Sequence, residues 1–139
     1  MVKEAILLVD DEAIMTLDLK TRLARRFGDK YTYATAVSAE DGLEVLGKLI
    51  EDSVKIILII SDWSMPGMNG RDFLAEVERR HPGIKAVLIS AYPEAWVEAN
   101  SADVGIIQAC FTKPINFPAL VQFIESLHLD KPVTKTCFD

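Results

Sequence analysis

Ile56-Ile57-Leu58-Ile59-Ile60, closed by Ser61-Asp62, is the stretch on which the fold turns. An unbroken aliphatic run with no polar alternation reads as a strand covered on both faces, as in a parallel sheet. Working outward, Ala5-Ile6-Leu7-Leu8-Val9 and Ala86-Val87-Leu88-Ile89 have the same character, and Tyr31–Ala34 and Ile106–Phe111 are weaker candidates. Between these runs the period changes. Met15, Leu19 and Leu23 recur at four-residue steps, and Ala39, Leu43, Leu46 and Ile50 at three or four. Phe73 with Val77, and Leu120 with Ile124 and Leu127, repeat that spacing, so each set marks the inward stripe of a helix. Ser38 with Asp41 resembles a capping box, Asn116 followed by Pro118 fits a helix entry, and His81-Pro82-Gly83 a helix stop. Strand and helix therefore alternate about five times, which calls for a parallel sheet with helices on both faces. Between Pro93 and Gly105 the helical stripe is thin, so a fourth helix there is expected to be short or mobile.

The 139 residues suit one domain, expected over 1–129 with a short tail over 130–139 that is frayed. Hydrophobic residues make up 50% and charged residues 26%, the balance of a folded globule rather than a disordered chain. A net charge of −6 argues against nucleic acid or an anionic membrane as the direct partner. Cys110 and Cys137 have no C-x-x-C partner, which argues against a disulfide scaffold or a zinc finger; Cys110 reads as a small core residue and Cys137 as an exposed tail thiol. No aliphatic run is long enough to span a bilayer, so a cytoplasmic location is expected.

In an open α/β sheet ligands bind beyond the carboxyl ends of the strands. The residues at those ends are Asp10 and Asp11, Asp62, Ser90, and Lys113 with Pro114. Singly each has a plain account: a helix N-terminus, a turn former, a strand-end hydroxyl, a solvated lysine. Their joint placement on one edge is what points to chemistry. Two carboxylates ~4 Å apart repel by about 4 kcal/mol at an effective dielectric of ~20. Three need a cation, and an all-oxygen set that leaves room for water suits Mg²⁺. Asp62 can then act as a nucleophile toward phosphorus, with Lys113 and Ser90 supplying a charge and a hydroxyl to the phosphoryl oxygens.

Ile6-Leu7-Leu8-Val9-Asp10-Asp11-Glu12, Ser61-Asp62-Trp63-Ser64-Met65-Pro66-Gly67-Met68-Asn69-Gly70, Ile89-Ser90-Ala91 and Phe111-Thr112-Lys113-Pro114 together resemble the receiver domain of two-component response regulators, from about Ala5 to Leu127. The resemblance, rather than the residues, implies a flavodoxin-like sheet of five strands in the order 2-1-3-4-5 with five helices. It also implies that Asp62 accepts a phosphoryl group from a phosphohistidine on a histidine kinase or histidine phosphotransfer protein. Asp11 and Asp62 would bind Mg²⁺ with the Ser64 carbonyl, and Asp10 would assist. Ser90 would follow the phosphoryl group, Lys113 would pair with it, and the Lys113–Pro114 bond would be cis. Gly67 and Gly70 would shape the loop after Asp62.

The sequence departs from the family pattern at Cys110, where an aromatic switch residue usually stands three before the lysine. Alternation sends Phe111 to the opposite face, so Tyr92 or Trp96 substitutes or the output travels differently. Extra residues between the acidic pair and Asp62 fall near Asp29 or Asp52. The expected function is a stand-alone phosphoacceptor in a phosphorelay: not an enzyme beyond its own phosphorylation and slow dephosphorylation, and a monomer or weak dimer. It would signal to a downstream protein target through the surface of the fourth helix, fifth strand and fifth helix. The alternatives are a Mg²⁺-dependent aspartyl-phosphate phosphatase, a degenerate docking receiver, or a receiver excised from a hybrid histidine kinase. Ser64 stands where a haloacid-dehalogenase-type phosphatase has its second aspartate, which counts against the first.

Overall fold

The computed structural model describes residues 2–92 and 104–128, and the backbone of 136–138. The strands are β1 (Glu4–Val9), β2 (Thr32–Ala36), β3 (Lys55–Asp62), β4 (Ala86–Ser90), β5 (Ile107–Thr112) and β6 (Thr136–Phe138). The described helices are α1 (Ala13–Phe27), α2 (Ala39–Glu51), α3 (Gly70–Arg80) and α4 (Phe117–Ser126). All strand pairs are parallel, in the order β2-β1-β3-β4-β5-β6. The five expected strands thus hold the order 2-1-3-4-5. The helix expected between Pro93 and Gly105, with Trp96, falls almost wholly outside the described residues.

The sheet sorts its side chains onto two cores. On one face Ala5, Leu7, Val9, Ile59, Leu88 and Cys110 pack with Ala39 and Leu46 of α2 and Phe73, Leu74 and Val77 of α3. On the other, Ile6, Leu8, Leu58, Ile60, Val87, Ile89 and Phe111 pack with Leu19 and Leu23 of α1 and Leu120, Phe123 and Ile124 of α4. Both faces of each central strand are therefore dry, which is why these strands read as unbroken aliphatic runs. Cys110 and Phe111 do take opposite faces, and the Phe111 ring meets Phe123 edge-on with centroids 6.2 Å apart.

Three features differ from the sequence expectation. A sixth strand, Thr136–Phe138, pairs with β5 where a frayed tail was expected, so part of the tail is ordered by edge hydrogen bonding. The α1 stripe is Thr16, Leu19 and Leu23 rather than Met15, Leu19 and Leu23: Met15 is 36% exposed and Thr16 turns inward, its hydroxyl donating to the Ala13 carbonyl. Ile50, expected on the inward stripe of α2 with Ala39, Leu43 and Leu46, is exposed.

The helix entries follow the local chemistry. The Ser38 hydroxyl accepts from the Asp41 N–H at 3.0 Å, and the Asp41 carboxylate accepts in turn from the Val37 N–H, one residue before the cap. Asn69 and Asn116 cap α3 and α4, accepting from Asp72 and Ala119. Each such cap satisfies an otherwise orphaned N–H and is worth about 1 kcal/mol. A 3₁₀ turn at Gly28–Lys30 and a turn through Ser53 stand near the positions where the extra residues before Asp62 are expected, both remote from the carboxyl ends of the strands. No helix among the described residues is long and apolar enough to cross a membrane.

Candidate functional site

Three loops leave the carboxyl ends of the sheet as if the ladder ran one step further. The Asp10 N–H donates to the Ala36 carbonyl at 3.1 Å, Trp63 N–H to Ile89 at 2.8 Å, and Lys113 N–H to Ser90 at 2.8 Å. These bonds fix the backbone beside each functional side chain, so the site is built on the sheet rather than on loose loops. The Lys113–Pro114 bond is cis.

Asp10, Asp11 and Asp62 converge, each offering a carboxylate oxygen within 4.8 Å of the others. Lys113 joins them, its Nζ lying 3.2 Å from Asp62 Oδ1 and 3.7 Å from Asp10 Oδ2. Asp10 and Asp62 are buried, at 7% and 6% exposure, while Asp11 is open to solvent. Burial, with the charges of Asp62 and Asp11, pushes the Asp10 carboxyl up to about 6, despite the Glu12 N–H and Lys113 that favour its charged form. Burial likewise raises Asp62 above the usual carboxylate range, against the pull of Lys113. Burial alone would depress Lys113, but Asp62 and Asp10 outweigh it and hold the ammonium above its ordinary value.

Three ionised carboxylates and one ammonium leave two negative charges uncompensated. An all-oxygen donor set with a charge deficit of two and one solvent-facing member fits a hard divalent cation that keeps part of its water shell. Ser64, exposed two residues after Asp62, lies on the same open cleft, which Asp11, Glu12, Asp62, Ser90, Ala91, Tyr92 and Lys113 also line. The Ser90 hydroxyl does not face Asp62 through any hydrogen bond found among the described residues; it accepts from the Tyr92 N–H at 3.0 Å and reaches the Tyr92 carbonyl at 3.1 Å. Tyr92 itself is 62% exposed. Its backbone hold on Ser90 was not foreseen from the sequence, because an ST-type turn depends on loop geometry, not on residue type alone.

The loop after Asp62 depends on two glycines. Gly67 has φ +80°, in the left-handed region where a side chain is strained. At Gly70 a Cβ would lie 2.2 Å from the Asp62 carbonyl oxygen and 2.9 Å from Leu88 Cδ2. The obstructing atom is backbone, so it cannot rotate away. Gly70→Ala is expected to destabilise the protein by about 1–3 kcal/mol and to displace Asp62 from Lys113. Urea unfolding reads the first effect; an unchanged midpoint would show that the loop relaxes freely.

The sequence model of the response regulator receiver domain family matches residues 6–125. The chain is 31% identical over 130 residues to the transcriptional regulatory protein GlrR of Escherichia coli (strain K12), covering 93% of this chain but only 27% of that protein. It is 33% identical over 89 residues to the sensor kinase CckA of Brucella abortus (strain 2308), covering 64% of this chain and 9% of that one. The chain thus spans about a quarter or less of these curated relatives. Among solved structures, response regulator protein TrrA from Thermotoga maritima, in complex with Mg²⁺-BeF, is 26% identical with a TM-score of 0.74, covering 89% of this chain and 98% of that one. A receiver domain from Colwellia psychrerythraea 34H, at 23% identity and TM-score 0.76, covers 90% and 98% and shares the fold. With its five-strand order, its acidic strand-end cluster and this match over most of its length, the chain belongs to the response regulator receiver domain family.

Proposed function

We propose that this receiver is a phosphoacceptor: Asp62 takes a phosphoryl group from a phosphohistidine on a histidine kinase or histidine phosphotransfer protein. The observation that carries this reading is the carboxylate trio with Lys113 beside Asp62 at 3.2 Å, open to a cleft that also reaches Ser90. The phosphorus–nitrogen bond of the donor breaks as the Asp62 oxygen–phosphorus bond forms, and the leaving imidazole retains the electron pair and takes up a proton. Mg²⁺ would be held by Asp10, Asp11, Asp62 and the Ser64 carbonyl, and when bound it supplies positive charge to the carboxylates and the phosphoryl oxygens. Lys113 offsets charge on the acceptor and on the transferred group. Ser90 meets the new oxygens after its hydroxyl leaves the Tyr92 backbone. On this reading the protein is a signalling acceptor rather than a turnover enzyme, and its output is contact with a downstream protein.

Incubation with acetyl phosphate and Mg²⁺ should add one phosphoryl group by intact mass, and chelation by EDTA should prevent it. Turnover of a small phosphate ester without a stable adduct would overturn the reading in favour of a phosphatase. Ser64 and Tyr92 border the cleft through which water must approach, so Ser64→Ala and Tyr92→Ala are expected to change the dephosphorylation rate several-fold. A pulse-chase of the phosphorylated protein measures this, and unchanged rates in both variants would remove those residues from the water path.

A further inference from the structure

The C-terminal strand brings together the chain's two cysteines, which lie 27 positions apart in sequence. β6 runs parallel to β5 with Ala109 opposite Thr136, Cys110 opposite Cys137 and Phe111 opposite Phe138. Register-paired residues of neighbouring parallel strands share one face of the sheet, and the strands stand about 4.8 Å apart. A disulfide joins Cα atoms about 4.4–6.8 Å apart. Cys110 is fully buried in the core shared with α2 and α3. β6 is only three residues long and forms the edge of the sheet.

We propose that Cys110 and Cys137 are the two halves of a redox-controlled staple, an intramolecular disulfide that locks the C-terminal strand onto the outer edge of β5. The oxidant is a low-molecular-weight disulfide. One cysteine thiolate attacks it and forms a mixed disulfide, releasing one small thiol. The other cysteine then attacks the mixed disulfide, closes the protein bond and releases the second thiol. The two cysteines lose two hydrogens in all, and the oxidant becomes two thiols. The staple ties the strand to β5, whose last residue, Thr112, immediately precedes Lys113.

The test uses the whole chain with oxidised glutathione, followed by alkylation, non-reducing digestion and mass spectrometry. The expected product is a monomer lighter by about 2 Da, with the Cys110 and Cys137 peptides linked and the linkage reversed by dithiothreitol. Its thermal midpoint should exceed that of the reduced protein, and Cys137→Ser should remove both effects. A one-residue slip moves a strand residue to the opposite face. Cys137→Ser combined with Thr136→Cys, or with Phe138→Cys, should therefore lose the linkage by at least tenfold in rate. Disulfide dimers, a persistent glutathione adduct, or equally fast closure in the slipped variants would overturn the proposal. The wild-type mapping needs no substitution, so it stands whether or not the variants fold.

Discussion

Asp62→Asn is expected to bring phosphoryl incorporation from acetyl phosphate to background. The amide has nearly the shape of the carboxylate, but its oxygen carries no charge and its nitrogen no free lone pair for attack on phosphorus. The substitution also removes one of three converging negative charges, so the fold should not suffer: burial already holds Asp62 above the usual carboxylate range. The comparison is therefore clean, with loss of labelling at unchanged or higher thermal stability. Intact-mass spectrometry with Mg²⁺ and a small phosphodonor reads the first quantity, and calorimetry the second. Continued stoichiometric labelling, mapped to Asp10 or Asp11, would transfer the acceptor role and sink the proposed mechanism.

The second large effect is on stability. Burial pushes the Asp10 carboxyl up to about 6 in the folded protein, from an ordinary value of 3.8. Between those values the folded state holds a proton that the unfolded chain has released. Stability contributed by this group is therefore greatest at low pH and falls as pH rises through about 6. The shift of about two pH units corresponds to a loss of up to about 3 kcal/mol at pH 7. Asp62 shifts in the same direction. Glu76 opposes them, lowered to about 2 by hydrogen bonds from Arg79 and Arg80, but its window closes above its ordinary 4.5. Without divalent metal, the melting temperature should thus fall from pH 5 to pH 7. Asp10→Asn should flatten that fall and raise the pH 7 midpoint by roughly 5–10 °C, while millimolar Mg²⁺ should raise the wild-type midpoint at pH 7 far more than that of the variant. A wild-type midpoint rising from pH 5 to pH 7 would show that the acidic cluster is not strained.

Much of this molecule could be read without coordinates. The β1, β3 and β4 runs are aliphatic throughout because helices cover both faces, and that burial is written directly into composition. Ser38 and Asn116 act through N–H groups three residues away, so their signal is local. The acidic pair, Asp62 and Lys113 were legible because each stands where a strand ends, and in a parallel sheet all those ends meet on one edge. Met15 was misplaced for a different reason: the core stripe of α1 admits Thr16, whose hydroxyl finds the Ala13 carbonyl within the same helix, so hydrophobicity alone named the wrong residue.

By itself, then, the sequence determined the alternation of strands and helices, the parallel sheet and the residues at its carboxyl edge. Tertiary structure alone decided the register. β1 pairs Ala5 with Ile56 but Ile6 with Leu58, so Ile57 is an extra residue in β3, and Gln108 is likewise skipped between β4 and β5. The first bulge puts Ile57 and Leu58 in the same core and resets the alternation that carries the strand on to Asp62. In a strand dry on both sides every position is apolar, so a one-residue shift leaves no mark on composition. The sixth strand was hidden for a related reason. A three-residue edge segment draws on backbone hydrogen bonds to a neighbour far away in sequence, and backbone groups are the same at every residue.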